Sequence, residues 1–236
     1  MSGVPGGVLA IVPARGGSKG VPRKNVAELT PGRTLLHYVA EAATKAQVDK
    51  VILSTEDEEI AQVGRHAGLD VPFTRPVALA TDETAMLPVL QHAIGHVLSS
   101  GWAPEYVVLL QPTSPLRRSQ HIDDAVSLLV SERADSVVTV VEVPKHLSPD
   151  YVMKIEGGTL RPFLPEGGRI IRRQDVRPAY YRDGTVYAFR RDTIERFGNI
   201  YGDRCLPLVI DAHDSLSIDS PDDWAEAQRR LQNWPH

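Results

Sequence analysis

Apolar and polar positions follow two alternating rhythms along the first two thirds of the chain. Residues 8–13 (VLAIVP) form a short, nearly unbroken apolar run, the pattern of a strand buried on both faces. Residues 35–46 then carry apolar side chains at helical spacing, and residues 50–54 (KVILS) return to strand. Residues 58–67 read as a second helix with Gly68 placed to stop it, and residues 84–98 as a third. A strand at 106–110 (YVVLL), a helix at 121–130 and a β-branched strand at 136–143 (SVVTVVEV) continue the series. Strand and helix in turn, joined by short connections, predict an α/β fold: a doubly wound, mostly parallel sheet.

From residue 144 the rhythm changes. Residues 151–155 and 159–163 flank Glu156-Gly157-Gly158 and predict a β-hairpin, followed by an arginine- and proline-rich loop at 165–178. A strand at 184–189 (GTVYAF), a helix at 191–197, a strand at 207–210 and a helix at 221–231, with Pro221 in its first turn, close the pattern. The stretch 144–182 interrupts the alternation and reads as an inserted arm within a single domain spanning residues 1–236.

Composition narrows the class. At 236 residues, 42% hydrophobic and 24% charged, the chain is long enough to bury a core without a disulfide or structural metal. The single cysteine, Cys205, excludes an intramolecular disulfide and zinc-ligand spacing, which suits a reducing, cytoplasmic compartment. The apolar run near the N-terminus is too short for a signal peptide or membrane span, so no membrane partner is expected. A net charge of −4 argues against a nucleic-acid binder. The basic residues nevertheless cluster: Arg15, Lys19, Arg23 and Lys24 in one segment, and Arg169, Arg172, Arg173, Arg177 and Arg182 in another. Two local cationic clusters on an acidic chain point to small anionic ligands.

The first cluster lies in Pro13-Ala14-Arg15-Gly16-Gly17-Ser18-Lys19-Gly20-Val21-Pro22-Arg23-Lys24-Asn25, directly after the first strand. Ligands of open α/β sheets bind beyond the carboxyl ends of the strands, where this segment must lie. Its glycines predict backbone at positive φ and N–H groups turned toward an anion, with Arg15, Lys19 and Lys24 suited to a triphosphate. It has the spacing of neither G-x-x-x-x-G-K-[ST] nor G-x-G-x-x-G.

The string 11–25, IVPARGGSKGVPRKN, resembles the signature of the acylneuraminate cytidylyltransferases, the CMP-sialic acid synthetase family. Three further segments match in family order: QPTSPLR at 111–117, RRQD through YRDGTVY at 172–187, and SIDSP at 217–221. The resemblance implies a Rossmann-like nucleotidyltransferase fold with a small β-rich dimerisation arm. It also implies transfer of CMP from CTP to an acidic nine-carbon sugar with Mg²⁺ as cofactor. By the same resemblance Ala14, Arg15, Gly16, Gly17, Lys19, Lys24, Asn25 and Arg75 contact the nucleotide, and Arg15, Lys24 and Asp219 are catalytic. Gln111, Thr113, Arg173 and Tyr187 hold the sugar, with Arg173 pairing with its carboxylate across a homodimer interface. Asp219 carries the metal, although its place before Pro221 also suits a helix N-cap. The chain departs from the family pattern at Pro221, where a second metal aspartate is expected, and at Asp183, where an asparagine is expected; Asp211 and Asp222 are the nearest substitutes for the former. Another nucleotide, an eight-carbon sugar acid, or a nucleotide binder without catalysis remain open alternatives.

Overall fold

Every residue of β1 (Val8–Pro13) is buried, and its side chains divide by parity. Val8, Ala10 and Val12 join one apolar cluster and Leu9 and Ile11 another, so the strand carries a helical layer on each face. The computed structural model describes residues 3–17, 19–165, 172, 174 and 176–232. Six strands form the central sheet in the order β10 (Cys205–Val209), β6 (Ser136–Glu142), β9 (Tyr180–Arg190), β5 (Tyr106–Leu109), β1 and β4 (Lys50–Ser54). Five run parallel, and β9 runs against both of its neighbours.

Helices α1 (Leu35–Lys45), α2 (Glu58–His66) and α4 (Ser119–Ser131) cover one face through Val39, Ile60 and Leu129. The other face is covered by α3 (Met86–Ser99) and α5 (Arg191–Phe197), through Leu90 and Ile194. A third cluster ties α6 (Pro221–Leu231) to β2 (Glu28–Thr30) through Leu231, Ala227 and Leu29. β2 forms a small antiparallel pair with β3 (Arg33–Thr34), which the apolar pattern does not signal.

Local chemistry sets the helix ends. The Asp57 side chain caps α2 by accepting from Ile60 N, and Glu58 and Glu59 complement the positive end of the helix dipole. Gly68, at φ +91°, follows that helix as expected. At α6 the cap is Ser220 with a reciprocal bond to Asp223, and Pro221 takes the first turn.

The predicted helices and strands are all present, with ends moved by a few residues. The largest difference is β9. Residues 184–189 are expected as a strand, yet β9 begins at Tyr180, so Tyr180, Tyr181 and Arg182 pair with Glu142, Val141 and Val140 of β6. The last three residues of the 144–182 stretch therefore belong to the central sheet. The hairpin of β7 (Met153–Glu156) and β8 (Thr159–Pro162) turns through Gly157 and Gly158, both at positive φ as a tight hairpin requires.

Candidate active site

The chain segments leaving β1, β4, β5 and β10, together with the opening residues of the antiparallel β9, all gather at one edge of the sheet. Two adjoining cavities lie there. One, of 390 Å³, is lined by Arg15, Lys19, Lys24, Asn25, Gln111 and Asp219, among others. The second, of 600 Å³, is lined by Tyr181, Asp183, Tyr187 and Arg230, and shares Gln111, Ser217 and Asp219 with the first.

The segment after β1 is built differently from the sequence expectation. Gly16, Gly17 and Gly20 are absent from the positive-φ residues, and among the described residues of this segment the left-handed position is Arg23, at φ 53°. Two of the glycines answer to close approach instead. A Cβ at Gly16 would strike the Asp57 carboxylate, and one at Gly20 would strike the carbonyl oxygen of Asp219. Gly17 has open space around it. Nor does the Gly16 N–H face an empty anion hole; it donates to Glu56 Oε1 at 2.7 Å.

Glu56 organises the base of this segment. Its other oxygen accepts from Arg75 Nη2 at 2.5 Å, and the same guanidinium nitrogen donates to the Ala14 carbonyl at 3.0 Å. Arg75, 3% exposed, lines the first cavity and braces Ala14, and its buried Nε has no partner among the described residues. Ala14 is itself core, its N–H bonded to Ser54 O. Asn25 Nδ2 donates to the Arg15 carbonyl at 3.0 Å, which leaves its buried Oδ1 without a partner among the described residues.

The cations are arranged in a row. Arg15 Nη1 lies 2.5 Å and Lys19 Nζ 2.7 Å from the two carboxylate oxygens of Asp82. Lys24 Nζ donates to the Ile218 carbonyl at 2.8 Å and stands 3.6 Å from Asp219 Oδ1. Arg23 turns away, to Asp57 and Glu59. That pairing holds the Asp57 carboxyl below its usual range, Arg23 being the largest cause.

Asp219 does not cap α6. Ser220 Oγ accepts from Asp223 N, while Asp223 Oδ2 accepts from the backbone N–H of Asp219 and Ser220. The Asp219 carboxylate, 75% exposed, accepts from the Ser217 hydroxyl at 3.0 Å beside Lys24. No group of three or more His, Cys, Asp or Glu side chains suited to a metal occurs among the described residues. Asp211 caps a turn through His213 N and does not line either cavity, and Asp222 is likewise outside both linings.

The second cavity is shaped by a bulge. Pairing advances two positions on β6, from Val138 to Val140, and five on β9, from Tyr187 to Arg182. The extra residues carry Asp183 and Gly184 out to the cavity, and Thr139 Oγ1 replaces the missing ladder partner for Val186 N. Gly184 needs its φ of +83°, and a Cβ there would press on Gln111 Oε1. Beneath, the buried Arg117 ties the two strand exits together by donating to Gln111 O and Thr185 O. Burial lowers the Arg117 guanidinium to about 9, with Asp183 opposing the drop. Thr113 lines the first cavity and accepts Ile218 N–H through its carbonyl at 2.9 Å. Tyr187 lines the second, its phenol pushed up by burial. Arg173 lies outside the described residues.

A family described as "Cytidylyltransferase" matches residues 9–204, a span that contains the exits of β1, β4 and β5. The chain belongs to the cytidylyltransferase family. It is 32% identical to the N-acylneuraminate cytidylyltransferase of Streptococcus agalactiae serotype V, over 92% of this chain and 51% of that relative. The chain thus spans about half the length of the curated relatives it matches first. It is 29% identical to the CMP-N,N'-diacetyllegionaminic acid synthase of Legionella pneumophila, over 95% of this chain and 96% of the relative. Among solved structures, a CMP:2-keto-3-deoxy-manno-octonic acid synthetase complexed with CTP superposes with a TM-score of 0.71 at 15% identity. That alignment covers 96% of this chain and 99% of the other, and it shows a shared fold.

Within this member of the cytidylyltransferase family the described site residues Arg15, Lys19, Lys24, Asn25, Arg75, Gln111, Thr113, Tyr187 and Asp219 line the paired cavities, whereas Ala14, Gly16 and Gly17 line neither. Glu56 carries no local signal of its role, and only its contacts with Gly16 and Arg75 reveal it. Asp82, in the polar stretch at 81–84, and Arg117 and Ser217, inside QPTSPLR and SIDSP, stand out in the sequence without revealing the partners they meet.

Proposed function

We propose that this chain transfers the cytidylyl group of CTP to the anomeric hydroxyl of an acidic 2-keto-3-deoxy sugar of nine carbons, releasing pyrophosphate. The observation that carries the proposal is the pair of adjoining cavities sharing Gln111, Ser217 and Asp219: a cationic one for the triphosphate and a polar one for the sugar. The names of the relatives support CTP as donor and a sialic, legionaminic or pseudaminic acid as acceptor class.

Arg15, Lys19 and Lys24 neutralise the triphosphate, and the buildup of charge on the leaving pyrophosphate is met by the same cations. Gln111, at the junction, orients the attacking hydroxyl, and Thr113 and Tyr187 flank the sugar. Positioning supplies much of the rate in such a reaction.

Mg²⁺ fits the donor chemistry at Asp219. An exposed carboxylate facing a polyphosphate site is a hard oxygen ligand of the kind that holds Mg²⁺ together with phosphates and waters. When bound there, the ion supplies charge neutralisation at the phosphates.

A homodimer belongs to the same proposal. Tyr151, Val152 and Met153 are exposed along the arm together with Ile155, at 77%, Leu160, at 62%, and Phe163, at 59%, a large apolar area for a single chain to present to water. Arg173 would then reach the sugar carboxylate of the neighbouring protomer. A cytoplasmic location is supported by the lone, exposed Cys205. No helix among the described residues is long and apolar enough to cross a membrane.

The test is pyrophosphate release from each of the four ribonucleoside triphosphates, with nine-carbon and eight-carbon sugar acids, with and without a divalent-metal chelator. Release from CTP with a nine-carbon acid, abolished by the chelator and in Asp219→Asn, is expected. Release that survives both the chelator and the substitution refutes the Mg²⁺ assignment, and release only with eight-carbon acids or another nucleotide refutes the substrate assignment.

A further inference from the structure

The Asp82 carboxylate is placed as a phosphate group would be. One oxygen meets Arg15 at 2.5 Å and the other meets Lys19 at 2.7 Å, so a single anion spans two cations of the cleft. Its support is stiff. Asp82 sits at the head of a turn in which Thr81 Oγ1 and Thr84 Oγ1 are 2.7 Å apart, Thr84 N donates to Thr81 O, and Thr84 Oγ1 donates to Ala78 O. The turn lies between a short helical segment, Val77–Leu79, and the start of α3, so it is anchored at both ends. Asp82 is held below the ordinary carboxyl range by Lys19 first and Arg15 second, which keeps it an anion at neutral pH.

A polyphosphate must compete with Asp82 for Arg15 and Lys19. All three side chains retain solvent access, with exposures of 34% for Arg15, 78% for Lys19 and 39% for Asp82, so the exchange needs no opening of the core. We infer that Asp82 is an intramolecular competitor for the polyphosphate: it holds Arg15 and Lys19 in the empty site, yields them to the triphosphate, and retakes them as pyrophosphate leaves. Asp82 thereby sets a threshold of ligand charge. A ligand with two or more linked phosphates displaces it, whereas a nucleoside monophosphate, which carries less negative charge, competes less well. The device lowers polyphosphate affinity in exchange for quick release of the second product. It rests on the reading of this cleft as the polyphosphate site.

The experiment is calorimetric titration of the full chain with inorganic pyrophosphate and with CMP, at low and at moderate salt. The variants are Asp82→Asn, Asp82→Glu, Glu83→Gln and Arg15→Ala, each checked by thermal melting. Two exposed ion pairs are worth modest free energy, so Asp82→Asn is expected to bind pyrophosphate about three- to tenfold more tightly at low salt, the gap narrowing as salt rises. CMP affinity rises by less than pyrophosphate affinity, and Asp82→Glu restores the wild-type value. Glu83→Gln removes the same charge from the adjacent exposed position and gives no comparable gain. Unchanged or weaker pyrophosphate binding in Asp82→Asn overturns the inference, as does an equal gain in Glu83→Gln. Wild-type pyrophosphate binding that Arg15→Ala does not reduce overturns the polyphosphate reading of the cleft, and the inference with it.

Discussion

The carbonyl oxygen of Asp219 rests so close to the α-carbon of Gly20 that a methyl group at position 20 would overlap it. This contact, reinforced by Lys24 Nζ donating to Ile218 O at 2.8 Å, joins the segment after β1 to the segment before α6. The cations of the first loop and the candidate metal carboxylate are held together by it.

Gly20→Ala therefore forces these two backbones apart. The expected result is at least a tenfold loss in kcat/KM together with a lower melting temperature, because the contact lies at the cleft and its chain neighbours Val21 and Ile218 pack in the third apolar cluster. Steady-state kinetics beside a melting curve checks it; full activity would mean that the two segments separate without cost.

Glu56→Gln leaves the Arg75 guanidinium, 3% exposed, without its counter-charge. Breaking one side of a buried pair costs about 3 kcal/mol, which for a domain of this size lowers the melting temperature by about 6–12 °C. Calorimetry reads the shift directly. A variant melting with the wild type would show that solvent, and not Glu56, compensates Arg75.

His121 titrates against the fold. Its Nδ1 accepts the Arg118 N–H at 3.3 Å, which assigns the proton to Nε2 facing Asp214 at 3.2 Å. Burial, the largest cause, holds its pKa below the ordinary value despite the opposing pull of Asp214. The unfolded chain then binds the proton more readily than the folded one, so the stability linked to this group is complete above about pH 6.5 and is lost as pH falls toward the lower folded value. His121→Gln should lose less melting temperature than the wild type between pH 7.5 and pH 5.5. Parallel slopes would remove His121 from the account.

The arm offers the fourth prediction. Ile155 and Leu160 face each other across the β7–β8 hairpin and both are exposed. Ile155→Asp together with Leu160→Asp should convert a dimer to a monomer in sedimentation equilibrium while leaving the α/β core folded. A dimer that persists would place the interface elsewhere.

Much of the architecture was readable from periodicity. Alternating parity in residues 8–13 and helical spacing in 35–46 reflect burial against layers on both sides, and burial is a property that local pattern records. The direction and full length of β9 were not readable, since a strand has the same appearance running either way and its neighbours decide. The glycines of the first loop do not take the positive φ expected of them. Two of them make room for Asp57 and Asp219, which are 41 and 199 positions away from Gly16 and Gly20.

The sequence by itself determined the alternation of elements, the cationic segment after β1 and the segments that resemble a cytidylyltransferase, because each is a matter of neighbours along the chain. Tertiary structure alone decided which carboxylate met which cation: Glu56 with Arg75, Asp82 with Arg15 and Lys19, Asp219 beside Lys24. It also released Asp219 from capping duty by giving that task to Ser220 and Asp223. Ion pairs form between side chains that folding brings within a few ångströms, and a sheet edge collecting five separate strand ends is the physical means by which they meet.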